Sequence, residues 1–139
     1  MQALFSIAWI FAATTADPCA LHFTEGWVPQ APPVAPMWAA YGVLRNDADR
    51  PLTITGLSSG DFAMAQIHET REDAGVERMR RIDPLIVPAH GEVRLARGSK
   101  HIMLMRPTHD LGKAQSVAVE FRVDGCAAPV AVTLPIRSD

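Results

Sequence analysis

Apolar and polar residues alternate along this chain with a period of two, and that pattern restricts the fold more than any other feature. It is cleanest from Ser116 to Val123, where Val117, Val119, Phe121 and Val123 fall on one side. Successive side chains of a strand point to opposite faces, so the pattern calls for an extended segment with one buried face. Shorter segments of strand character run over Leu21–Val28, Trp38–Asn46, Pro51–Leu57, Phe62–Thr70, Val76–Ile82, Pro84–Ala89, Glu92–Ala96, His101–Met105 and Pro129–Ile136. Turn residues separate them: Asn46-Asp47-Ala48-Asp49, the charged stretch Arg71 to Gly75, Gly91, Arg97-Gly98-Ser99 and Gly125. The connector from Pro29 to Pro36 holds four of the 11 prolines and reads as extended, non-helical chain. No segment keeps a helical period. Short strands with turn signals every 8–12 residues or so predict an all-β sandwich or barrel of about eight or nine short strands. At 139 residues and 48% hydrophobic composition, the chain suffices for one domain with one core.

The formal charge is −2, and no basic stripe exists, so no nucleic-acid partner is expected. There is no Ser-His-Asp order, no His-Glu-x-x-His, no glycine-rich phosphate loop and no close carboxylate pair. A catalytic role is therefore not expected.

Leu4 to Ala13 is an apolar run of signal-peptide length, followed by the small-residue site Thr14-Thr15-Ala16. Residues 1–16 read as a cleaved export signal and 17–139 as the mature domain. The run is too short to span a bilayer, which takes about 20 apolar residues. Asp17-Pro18 replace the small residues that precede a lipidated cysteine, so no stable membrane anchor is expected at Cys19. Cys19 and Cys126 are the only cysteines. In an oxidising compartment the two would pair; the alternative is two free thiols that add to metal binding.

Four residues carry the chemistry. His68, Met79, His101 and Met103 are spaced as His, ten residues, Met, twenty-one residues, His, one residue, Met. Imidazole and thioether are neutral, fairly soft donors, and thioethers favour Cu(I) over the oxygen-seeking Mg, Ca or Mn. On Phe62–Thr70, alternation puts Phe62, Met64, Gln66 and His68 on one side and Ala63, Ala65 and Ile67 on the other. On His101–Met105, His101 and Met103 share a face about 7 Å apart at Cα, with Met105 further along as packing neighbour or reserve donor. Met79 lies among Glu77, Arg78, Arg80 and Arg81, an unusual setting for core methionine. Arg97, Lys100 and Arg106 flank the second strand and could either steer an acidic partner or simply aid solubility. His22, His90 and His109 read as ordinary surface residues, the last beside Asp110.

This pattern and its surroundings resemble the periplasmic copper chaperone family known as PCuAC, from about Trp38 to Val123. The matching text includes Ala40-Tyr41-Gly42-Val43, His68-Glu69-Thr70, Gly75-Val76-Glu77-Arg78-Met79-Arg80, Val87-Pro88-Ala89-His90-Gly91 and His101-Ile102-Met103-Leu104-Met105. The resemblance implies a cupredoxin-like Greek-key β-sandwich and a periplasmic monomer binding one Cu(I) through His68, Met79, His101 and Met103. It also implies delivery to the dinuclear copper site of cytochrome c oxidase, directly or with a Sco-type thiol protein. Two other readings compete. One is a metal-free exported β-sandwich acting as an interaction module. The other is an electron-transfer cupredoxin, disfavoured because blue-copper sites need a cysteine among the His and Met ligands.

Overall fold

The computed structural model describes residues 19–138; the expected signal segment and its boundary lie outside them. Ten strands are present: β1 (Leu21–Pro29), β2 (Met37–Asn46), β3 (Leu52–Ser58), β4 (Phe62–Asp73), β5 (Val76–Arg81), β6 (Leu85–Val87), β7 (Glu92–Leu95), β8 (Lys100–Pro107), β9 (Ser116–Val123) and β10 (Val130–Arg137). The fold is all-β as expected, with ten strands in place of eight or nine. Each of the ten segments of strand character has its own strand, the three-residue β6 and four-residue β7 included, so the count of eight or nine is low.

The strands join in the order β5-β4-β8-β2-β1-β10-β9-β3-β6, and a pairing of Leu57 with Ala65 links β3 back to β4. The sheet therefore closes on itself into a barrel-like sandwich. Two long strands make the closure. β2 gives one edge first to β8 (residues 37–40) and then to β7 (residues 42–45). β4 pairs with β8 along one side, and with β5 and β3 elsewhere. Inside sit Trp38, Leu44, Phe62, Ile102, Leu104 and Phe121, each no more than 2% exposed. The β9 alternation translates directly: Val117, Val119, Phe121 and Val123 are buried and their neighbours exposed.

One bend needs glycine. β1 shifts register between Thr24 and Trp27, with Glu25 at φ 55°. Across the gap Phe23 lies flat over backbone: a Cβ on Gly42 would come within 2.4 Å of its ring, and one on Gly26 within 2.5 Å. Only hydrogen fits there.

Three readings take a more definite form. The charged turn at Arg71 to Gly75 is a hairpin tip, tighter than that whole stretch. β4 continues to Asp73 and a two-residue turn, Ala74-Gly75, with φ of 52° and 80°, leads into β5. This is the turn geometry that matches strand twist. Both faces of this tip are solvated, so no alternation marks it in the sequence. Phe62 does not share the exposure of Met64: it is buried on Trp38, with rings 6.1 Å apart, while Met64 is 38% exposed. Asn46, read as both the end of a strand and the start of a turn, closes β2. It is fully buried; its Nδ2 donates to the carbonyls of Arg50, Val87 and Pro88, and its Oδ1 accepts from the Ala48 amide.

Cys19 and Cys126 form a disulfide, with Cα atoms 5.6 Å apart, as their pairing in an oxidising compartment predicts. It ties the start of β1 to the β9–β10 turn.

Candidate metal centre

The outer face of β4, β8 and β2 collects the soft donors. In an antiparallel ladder, residues directly opposite each other project from the same face. His68 of β4 is the direct partner of His101 of β8, and on its other side of Arg81 of β5. The two imidazole centroids are 6.3 Å apart. One row along, Gln66 pairs with Met103, which in turn pairs with Ala39 of β2. One row the other way, Thr70 pairs with Met79.

All four expected ligands therefore lie on a single face. Three of them, His68, His101 and Met103, occupy adjoining positions. Met79 sits on the edge strand beyond His68 and is 56% exposed. Ladder spacing puts its Cα about 16 Å from that of Met103. His101 and Met103 are buried, at 6% and 7% exposure, yet outside the main core cluster. Neighbours on the same face shield them, while Ile102 and Leu104 point into the core.

Hydrogen bonds orient both rings. The Nδ1–H of His101 donates to the Ser99 carbonyl at 3.0 Å, which leaves Nε2 with a free lone pair. The Nε2–H of His68 donates to Gln66 Oε1 at 2.9 Å, which leaves Nδ1 free. Fixing the tautomer through the second ring nitrogen is the usual way to aim a metal-ligating imidazole. Burial first, and then repulsion from His101 and Arg81, hold the His68 pKa below its ordinary value. The shift favours the neutral ring, the form that can donate a lone pair to a cation. Gln66 and Ser99 were not legible as participants in the sequence. Their signal is the i, i+2 spacing that puts each beside its histidine on one face.

The other pleat of the hairpin is ionic. Glu69 lies 3.6 Å from Arg71, 3.8 Å from Lys100 and 4.0 Å from Arg80. Such exposed pairs contribute little individually. Beyond β2, the rings of Trp27 and Tyr41 are 5.5 Å apart, and the Arg97 guanidinium lies over both. The remaining histidines stay out of this region. His22 faces Asp47 at 3.1 Å, and His109 meets Asp61 at 2.6 Å instead of an Asp110 carboxylate. Among the described residues no three His, Cys, Asp or Glu side chains gather, so a donor set here has to include thioether sulfur.

Comparison with known proteins bears on the family and the fold. Residues 21–136 match the LpqE-like family model. The chain is 33% identical over 114 residues to Lxx21020 of Leifsonia xyli subsp. xyli, which carries a lipoprotein designation; the match covers 81% of this chain and 68% of that protein. It is 29% identical over 109 residues to RP573 of Rickettsia prowazekii, covering 76% of this chain and 60% of that one. Among solved structures, the Cu(I) form of DR1885 from Deinococcus radiodurans aligns at 25% identity and TM-score 0.65, over 92% of this chain and 87% of that one. A copper-bound PCuAC domain from PmoF2 aligns at 20% identity and TM-score 0.69, over 86% and 94%. The resemblance to PCuAC domains read from the sequence therefore holds at the level of the whole fold, and the chain belongs to the LpqE-like family, built on the PCuAC-type β fold.

Proposed function

We propose that this protein is an exported copper chaperone, a carrier without catalytic activity, that binds one Cu(I) tightly through His68, Met79, His101 and Met103. The observation that carries this reading is the packing of His68, His101 and Met103 on adjoining ladder positions with both imidazole tautomers set. The copper-bound PCuAC domain from PmoF2 and the Cu(I) form of DR1885, which share the fold, support it. Met79, on the exposed hairpin, would complete the set once that hairpin bends toward β8, since two extended methionines sharing one ion span only about 13 Å between Cα atoms, less than the ladder separation of about 16 Å.

The disulfide fits an oxidising compartment, which we take to be the periplasm. There, thioethers keep a Cu(I) site from being lost to disulfide formation. With both cysteines joined, no thiolate is left for a blue-copper centre, which removes the electron-transfer reading. Neutral ligands leave the ion its positive charge and favour release to a thiolate acceptor. The resemblance to PCuAC chaperones implies as acceptor the dinuclear copper site of cytochrome c oxidase, reached directly or through a Sco-type thiol protein, and we take the chaperone to act as a monomer. We read the connections that insert β8 between β4 and β2 as cupredoxin-like Greek-key crossings.

The test is anaerobic Cu(I) titration against a chromogenic chelator. The wild type should take up a first, tight equivalent, and His101→Ala with Met103→Ala should lose it. Retention of that equivalent by the double variant overturns the assignment. Transfer from the loaded protein to an oxidase copper domain then tests delivery.

A further inference from the structure

Every methionine among the described residues stands on the face just described. Met79 and Met103 belong to the proposed site, and the other three form a row of their own. Met105 of β8 is the direct partner of Met37 of β2 on one side and of Met64 of β4 on the other. Direct partners lie about 5 Å apart at Cα, and the outer two about 10 Å. Their chain neighbours Trp38, Leu104 and Ala65 are buried, whereas Met37 is 49% and Met64 38% exposed and Met105 half-buried. The three side chains therefore project outward together.

Ordinary packing does not account for this row. Core methionines fill gaps inside, yet these three are outside the core cluster. Each side chain has three rotatable bonds, so the outer two can lean over Met105 and present three sulfurs to one point. The sulfur of Met64 already has a cationic visitor: the Arg106 Nη2–H donates to its Sδ at 3.0 Å. That lone pair is thus exposed and directed toward a positive charge. A soft monovalent cation competes for it with far better donor matching than a guanidinium.

We propose that Met37, Met64 and Met105 form a second, thioether-only site for Cu(I), separate from the His/Met centre. Thioethers without imidazole select the reduced, soft ion and make a weaker site. Met103 precedes Met105 by two residues, about 7 Å along the same strand, so the two sites are neighbours on one face. An ion held on the sulfurs has only one row to cross to reach His101. Arg106 acts as a competing cation that must swing away when the row is loaded.

The experiment uses the mature protein with 13C-methyl-labelled methionine and Ag(I) as a diamagnetic, redox-inert probe. The first equivalent should shift the Met79 and Met103 methyl signals, and the second those of Met37, Met64 and Met105. Met37→Leu, Met64→Leu and Met105→Leu together, a near-isosteric exchange on an exposed face, should abolish the second equivalent and spare the first. Arg106→Ala should tighten the second equivalent. His101→Ala with Met103→Ala should lose the first equivalent and keep the second, which separates this proposal from the His/Met assignment. A wild type whose Met37, Met64 and Met105 methyls stay fixed past one equivalent overturns the proposal. So does a folded triple-leucine variant that still binds two.

Discussion

His68 and His101 face each other directly across β4 and β8, with ring centroids 6.3 Å apart. Two imidazoles so placed repel when both are protonated. Burial, then His101 and Arg81, depress the His68 pKa below its ordinary value. A depressed base binds fewer protons folded than unfolded, so stability from this residue is complete above the ordinary histidine pKa, about 6.5, and falls as pH drops below it. Metal capture follows the same direction, because the ligand must be neutral. Proton NMR of the imidazole should show His68 titrating below the ordinary histidine value of about 6.5, and Cu(I) affinity should weaken as the solution is acidified through that range. A His68 midpoint at or above the ordinary value contradicts the placement.

The Cys19–Cys126 bridge closes a loop with a sequence separation of 107 residues. On the chain-entropy account, a loop of this length stabilises the fold by about 4–5 kcal/mol. Replacing both cysteines by serine should lower the unfolding free energy in urea by roughly that amount. The His/Met face is built from β4, β5 and β8, away from the bridge, so the first Cu(I) equivalent should survive wherever the variant remains folded.

Gly42 has no room for a methyl group. A Cβ there would overlap the Phe23 ring at 2.4 Å and approach the Gly26 Cα at 3.0 Å, and the φ of 155° disfavours a side chain as well. Gly42→Ala should cost about 1–3 kcal/mol, read as a lower thermal midpoint. Gly60 sits in open space, with no positive φ recorded, and Gly60→Ala should have little effect.

Asn46 joins three segments through one buried amide. Asn46→Ala leaves the Val87 carbonyl without that donor in a buried setting, and should destabilise by about 2–3 kcal/mol. Asn46→Asp should also destabilise, since an ionised carboxylate offers carbonyl oxygens no hydrogen. A change in chemical denaturation midpoint at unchanged slope is the expected signature.

Asp61 and His109 form a surface latch between the start of β4 and the β8–β9 loop. The Asp61 hydrogen bond raises the His109 pKa. Its contribution is therefore complete below the ordinary histidine pKa and is lost as pH rises through the elevated folded value. Burial works to raise the Asp61 pKa, but the Ala118 amide and His109 together outweigh it and lower it. Asp61→Asn should lower the His109 midpoint, with Asp110 still holding it up, measurable in the same NMR titration.

The residues alone determined the class of fold and the chemical character of the site. Val117, Val119, Phe121 and Val123 alternate because one face of a strand is dry and the other wet, and that rule is local. The choice of imidazole and thioether, and the possibility of pairing Cys19 with Cys126, are likewise written in residue type. What the sequence could not express was register. That His68 meets His101, that Met79 stays at an open edge, and that Met37, Met105 and Met64 stand abreast all depend on how β2, β4, β5 and β8 align. Alignment is settled by closure of the whole sheet, by the Phe23–Gly42 contact and by the buried amide of Asn46. Each of these joins residues distant in sequence, so no local period carries a trace of them.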